Sequence, residues 1–134
     1  MNRKIIKFRG RHTVSGGWYY GYLYKRDNDY IITTNGYTEY VVDKKTIGQC
    51  TGLEDKNGKE IYEGDIVKTF QENYQDKNNP NVNFFVVENE TEYCGALSAF
   101  TFRCLNGNYS SVHTEALSQS EIIGNIYENP ELLK

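Results

Sequence analysis

The segment from Gln49 to Val67 constrains the fold more than any other stretch of the chain. Asp55-Lys56-Asn57-Gly58 has the composition of a tight turn, and Glu63-Gly64 turns the chain again shortly afterwards. Before the first turn, Thr46 to Leu53 carries Gly48 and Gly52, which predicts a short strand or a bulged, irregular one. Lys59 to Tyr62 reads as a short strand between the two turns, and Asp65 to Phe70 as another after the second. Gly64-Asp65-Ile66-Val67 is the kind of strand start found in small SH3-like barrels, a likeness of local pattern only.

The same punctuation runs through the rest of the chain. Ile6 and Phe8 alternate with Lys7 and Arg9 at the period of a half-buried strand. Trp18 to Tyr24 is an aromatic run broken by Gly21, and Asp27-Asn28-Asp29 is turn chemistry. Tyr30 to Thr34 and Tyr37 to Val42 flank Asn35-Gly36, the signal of a two-residue type I′ hairpin. Gln71 to Asn81 is polar and without period, and reads as a mobile loop. Val82 to Glu88 and Ala99 to Leu105 are strands, and Asn106-Gly107-Asn108 turns the chain into Tyr109 to Val112. Thr114 to Leu117 fits a single helical turn capped by Thr114. Glu121 to Tyr127 closes the series, and Asn129-Pro130-Glu131 has the cap, proline and acid that start a short C-terminal helix. The expectation is one mainly β domain over residues 1–134, an antiparallel meander or small barrel with SH3-like elements.

Charge and composition narrow the function classes. The net charge is -3, yet Arg3, Lys4, Lys7, Arg9 and Arg11 precede any acid, so residues 1–11 carry +5 and the remainder -8. An acidic chain is a poor general grip for nucleic acid, and a basic strand also deters edge-to-edge pairing. Twelve Tyr, six Phe and one Trp supply apolar area whose tips stay wet, which suits a thin core or an adhesive surface. Cys50, Cys94 and Cys104 are odd in number and lack a Cys-x-x-Cys, the pattern of buried thiols in a reducing compartment. No signal-peptide core and no apolar run of the ~20 residues needed to span a bilayer is present. A cytoplasmic chain that does not bind membranes is expected.

No chemical motif stands clear of a structural explanation. Asp55-x-Asn57-Gly58 fails as a calcium loop, because Leu53 and Gly64 would fall at ligating positions. Glu63 and Asp65, two apart, would share a strand face and could form an acid–base pair or metal site, although turn capping is the commoner use. Glu88, Glu90 and Glu92 fit a solvated face. His12 and His113 lie in unrelated contexts, and no phosphate-binding glycine loop or nucleophile elbow occurs. Neither a cofactor nor a metal site nor a small-molecule ligand is expected. Trp18, Tyr20 and Tyr22, in the aromatic run that leads into Lys25 and Arg26, together with Arg9 and Arg11 of the basic strip, are the best binding candidates: aromatics with nearby cations stack bases or fill protein interfaces.

Four blocks resemble one family. Gln49-Cys50-Thr51-Gly52-Leu53-Glu54-Asp55-Lys56-Asn57-Gly58-Lys59-Glu60-Ile61-Tyr62-Glu63-Gly64-Asp65-Ile66-Val67 is similar to the signature block of the YopX-like proteins, small proteins of bacteriophages, prophages and other bacterial mobile elements. Ile6-Lys7-Phe8-Arg9, Gly17-Trp18-Tyr19-Tyr20-Gly21 and Ile123-Gly124-Asn125-Ile126-Tyr127-Glu128-Asn129-Pro130-Glu131-Leu132 resemble its other blocks, leaving Phe70 to Glu121 unmatched. The resemblance implies a mainly β fold and a mobile-element origin, with no established activity and no catalytic residues to carry over. The leading expectation is therefore a non-enzymatic protein-interaction module that binds another protein or itself. A nucleic-acid-binding accessory protein is the first alternative, and a metal-assisted hydrolase using Glu63 and Asp65 the second.

Overall fold

A computed structural model describes residues 7–71, 81–90, 99–105 and 119–133. They form ten strands, two short 3-10 turns and no long helix. The chain divides into two compact units, Met1–Gly52 and Leu53–Lys134.

The first unit is built from β1 (Phe8–Arg11), β2 (Trp18–Arg26), β3 (Asp29–Thr33), β4 (Glu39–Val42) and the start of β5 (Gly48–Glu54), in the order β4-β3-β2-β1-β5. All of its registered pairs are antiparallel. β2 serves two neighbours in succession. Its first residues, Trp18 to Gly21, pair with β1, and Tyr22 to Arg26 pair with β3. Gly21 makes the change of partner possible. Its φ is +153°, and a Cβ there would lie 2.3 Å from the Thr33 carbonyl oxygen, so only glycine lets the two backbones come this close. The sheet curls, since a bridge joins His12 to Val42 and the Asp43 N–H donates to the Arg11 carbonyl (2.8 Å). It stays open, and neither sheet closes into a barrel. Ile31, Ile32 and Val42 are the buried aliphatic residues here; β-branched side chains fit a pleated surface and lose little rotamer freedom on burial.

In the second unit β6 (Glu60–Tyr62) returns beside the end of β5. β7 (Asp65–Gln71), β8 (Asn81–Glu90), β9 (Ala99–Cys104) and β10 (Glu121–Asn125) form an antiparallel sheet in the order β10-β7-β8-β9. Its core is Ile61, Val67, Phe85 and Val87, each at most 1% exposed, with Leu53 and Ile122 packed against them. Each such side chain contributes roughly 1.5–3 kcal/mol on burial. β10 is bulged between Ile122 and Gly124.

Most expected elements are present, with three differences. Asn35-Gly36 does not make a two-residue hairpin: the last β3–β4 pair is Thr33 with Glu39, and the loop spans residues 34–38. Asn35 Oδ1 accepts the N–H groups of both Tyr37 and Thr38 (2.8 Å each), while Gly36 N–H donates to Thr33 Oγ1 (2.9 Å). The Asn side chain thus competes for donors that a tighter hairpin would place in the ladder. The C-terminal helix shrinks to one 3-10 turn, Pro130–Leu133. Thr46, read as the first residue of a strand, instead ends another, Lys44–Thr46, with Asp43 Oδ1 accepting from Lys45 N–H (3.0 Å). The segment foreseen as a mobile loop and the expected elements around residues 106–117 fall outside the described residues, apart from Gln71 and Asn81, which pair as the last rung of β7–β8.

Candidate functional site

Four of the five binding candidates share one face of the β1–β2 pair. Arg9 lies opposite Tyr20 and Arg11 opposite Trp18, and directly opposed residues of an antiparallel pair project to the same side. The Arg9 guanidinium carbon lies 4.8 Å from the Trp18 ring centroid and that of Arg11 5.9 Å. Both distances suit a cation–π contact, worth about 0.5–2 kcal/mol according to desolvation. Arg9 is buried at 5% exposure, and Arg11 Nε also donates to the Gly16 carbonyl (3.1 Å). The arginines therefore fix the indole in place. Tyr20 and Tyr22, flanking the Gly21 kink, remain 42% and 52% exposed.

On the opposite side Tyr19 stacks on Tyr40 with centroids 3.6 Å apart, and His12 packs edge-on against both. His12 Nδ1 accepts the Ser15 backbone N–H (3.1 Å) and lies 3.0 Å from Ser15 Oγ. That arrangement closes the turn between β1 and β2. Farther along β2, the Tyr24 hydroxyl donates to Glu39, which also receives Arg26 Nη2 at 2.7 Å. The hydrogen bond to Glu39 raises the Tyr24 hydroxyl above its ordinary 10.0, helped by burial and the Glu39 charge and opposed by Arg26. Glu39 is lowered in turn, first by the Tyr24 bond and then by Arg26.

The second unit spends its signature carboxylates on backbone. Asp55 Oδ1 accepts the N–H groups of Asn57 and Lys59 (2.9 Å each), and Oδ2 accepts that of Ile122 (3.1 Å). Burial pushes the Asp55 carboxyl up, but the three N–H donors and the Lys59 charge outweigh it and hold the group below its ordinary 3.8. Asp65, 2% exposed, accepts the Tyr62 N–H at 2.8 Å. Glu63 sits in the β6–β7 turn and not on a strand face beside Asp65. An exposed carboxylate pair for acid–base or metal chemistry is not what this geometry provides.

The block from Gln49 to Val67 and the one from Ile123 to Leu132 do meet. Asp65 pairs with Asn125, and Ile126 N–H donates to the Gly64 carbonyl (2.9 Å). Asn125 Oδ1 accepts from Tyr127 and Glu128 N–H (3.0 and 2.9 Å), and Asn129 Oδ1 accepts from Asn125 N–H (3.2 Å). A Cβ on Gly124 would lie 2.4 Å from Asn129 Oδ1, so that asparagine occupies the space a larger residue would need. Beside this junction is a cleft of about 310 Å³ lined by Glu63, Val87, Glu88, Arg103, Tyr127 and Leu133, among others. Asn57 is not part of it and stays in the Asp55–Gly58 turn. Sequence reasoning did not anticipate Arg103 or Leu133 here, because strand pairing across β8–β9 and one terminal turn bring them in with no periodic signal.

Among the described residues, no group of three or more His, Cys, Asp or Glu is placed to hold a metal, and no helix is long and apolar enough to cross a membrane. Cys50 is a buried cysteine whose sulfur accepts Gly52 N–H (3.4 Å); Cys94, Glu92 and His113 lie outside the described residues.

Residues 7–134, almost the whole chain, match the family described as YopX protein. The chain belongs to this family. The match spans the middle stretch that the four sequence blocks left unassigned. Among solved structures, this YopX family member is similar to protein EF1440 from Enterococcus faecalis, with a TM-score of 0.55, 25% identity, and coverage of 97% of this chain and 99% of that one. No curated protein matches.

Proposed function

We propose that this YopX family member is a non-enzymatic protein-interaction module that works through the tyrosine-bearing face of its first unit. The observation that carries this reading is the side-by-side exposure of Tyr20 and Tyr22 next to an indole clamped by Arg9 and Arg11. Tyr, Trp and Arg dominate binding energy at protein interfaces, and a surface already rigid loses less side-chain entropy when a partner arrives. Asp65, one of the two carboxylates that could have served chemistry, is buried and accepts the Tyr62 N–H. A phage or mobile-element role in the bacterial cytoplasm is the setting that family membership suggests.

Nucleic acid is the competing ligand, since the first unit is basic by composition. Base stacking needs open aromatic faces, and the Trp18 ring is engaged by guanidinium groups of its own chain. That favours protein.

The test is affinity capture from host lysate with the full chain and with a Tyr20→Ser/Tyr22→Ser variant, after nuclease treatment. The reading requires a captured protein, the second copy included, that the variant loses. Identical capture by both forms would refute it.

A further inference from the structure

Resting on that reading, we infer that the partner at the tyrosine face is a second copy of the chain, docked head to tail on the acidic cleft of the second unit. The charge is segregated between the units. Met1–Gly52 carries nine Lys and Arg against four Asp and Glu, a formal +5, whereas Leu53–Lys134 carries six against fourteen, a formal -8. Net charge for the whole chain hides this division.

Both units expose apolar groups. Among the described residues, Tyr20, Tyr22 and Tyr37 are exposed in the basic unit, together with Val14. Among the described residues of the acidic unit, Leu132 (37%) and Leu133 (39%) are the exposed large apolar ones, and Leu133 borders the cleft. The cleft holds Glu63, Glu88 and the Tyr127 ring, and exposed Glu128 and Glu131 stand on the segment that carries the two leucines. By formal charge, Glu63, Glu88, Glu128 and Glu131 stand against Arg103 alone among these residues, and Arg103 pairs with Glu88.

Each copy therefore presents exposed tyrosines on a unit of net positive charge and an apolar-edged cleft on a unit of net negative charge. Contact between like faces would bring like charges together, whereas contact between unlike faces joins complementary potentials and buries both apolar groups. Such a contact is heterologous, and it either closes on itself or propagates.

Two variants test it by sedimentation velocity and light scattering. Tyr20→Ser/Tyr22→Ser removes the exposed tyrosines, and Glu128→Lys/Glu131→Lys reverses the rim; circular dichroism and thermal melting establish that both fold. The wild type is expected well above its 15.5 kDa monomer mass at about 0.02 M salt and close to it at about 0.5 M, where screening is short-ranged. Each variant alone should remain monomeric. A mixture of the two should recover a one-to-one complex, because each retains the surface the other lacks.

A monomeric wild type at low salt overturns the inference, as do variants that assemble like the wild type or a mixture that stays monomeric. Association abolished by nuclease overturns it in favour of a bridging nucleic acid. A monomeric wild type that still captures another protein through Tyr20 and Tyr22 defeats this inference and leaves the proposed function standing. Capture unchanged by the tyrosine variant defeats both.

Discussion

The two units use polar side chains in opposite ways. In the first, tyrosines, arginines and Glu39 meet at or near the surface, in contacts such as Arg26 on Glu39 and Tyr24 on Glu39. In the second, Asp55, Asp65 and Asn125 are buried and accept backbone N–H groups. A buried donor left without its acceptor costs about 1–3 kcal/mol, whereas an exposed contact returns to water at little cost. Substitutions should therefore divide into those that unfold the protein and those that alter its surface.

The largest effect is expected at Asp55. Asp55→Ala removes the acceptor for three N–H groups, one of them on β10, 67 residues away in sequence. The expected loss is roughly 3–5 kcal/mol, a large part of the stability of a typical domain. Urea unfolding of the variant measures it, and a loss below ~1 kcal/mol would break the contrast between the units. Gly21→Ala comes next and belongs to the first unit. Its Cβ would meet a backbone carbonyl at 2.3 Å, with no flexible side chain to yield. A loss of about 2–4 kcal/mol is expected from overpacking and backbone strain, read by the same titration. Gly124→Ala meets a side chain instead, so its cost should be smaller, about 1–3 kcal/mol. Part of that cost should vanish in an Asn129→Ala background, a coupling that a double-mutant cycle detects.

Acid separates the units further. The folded Asp55 carboxyl is held below its ordinary 3.8, so the unfolded chain takes up protons first as pH falls. Its contribution is fully present above that ordinary value and is lost as pH drops through the depressed folded one. Stability followed from neutral pH down to about pH 2 should fall in the wild type, and Asp55→Asn should flatten the fall. An equal slope in both proteins would assign acid sensitivity to other carboxylates.

These contrasts show which parts of the molecule the sequence expressed. Tight turns at Asp55–Gly58 and Glu63-Gly64 were legible because turn chemistry is local, and so was the aromatic strand, whose composition matches its place in a half-buried sheet. Asn35-Gly36 misled because the Asn side chain captured two N–H groups, a choice that depends on the length of loop the flanking strands impose. The reach of Asp55 to Ile122 and the packing of Asn129 against Gly124 were not legible, since neither has a periodic trace. Glu63 and Asp65 looked alike in sequence, yet one turn places the first beside a cleft and buries the second.

The smallest effect, and the sharpest probe of the surface unit, concerns Tyr24. Its hydroxyl donates to Glu39, a bond that exists only while the tyrosine is protonated, and the Glu39 charge opposes formation of a phenolate beside it. Arg26 works the other way but is shared with the same carboxylate. Glu39→Gln removes the charge and leaves a weaker acceptor, so Tyr24 should titrate closer to its ordinary 10.0. The difference in tyrosinate absorbance between wild type and Glu39→Gln, followed through alkaline pH, isolates this residue from the other eleven tyrosines. Thermal stability near neutral pH should stay almost unchanged, because an exposed ion pair is worth little. A substantial loss of stability in Glu39→Gln would mean that the surface contacts of the first unit carry the fold as the buried carboxylates of the second do, and the division between the two would fail.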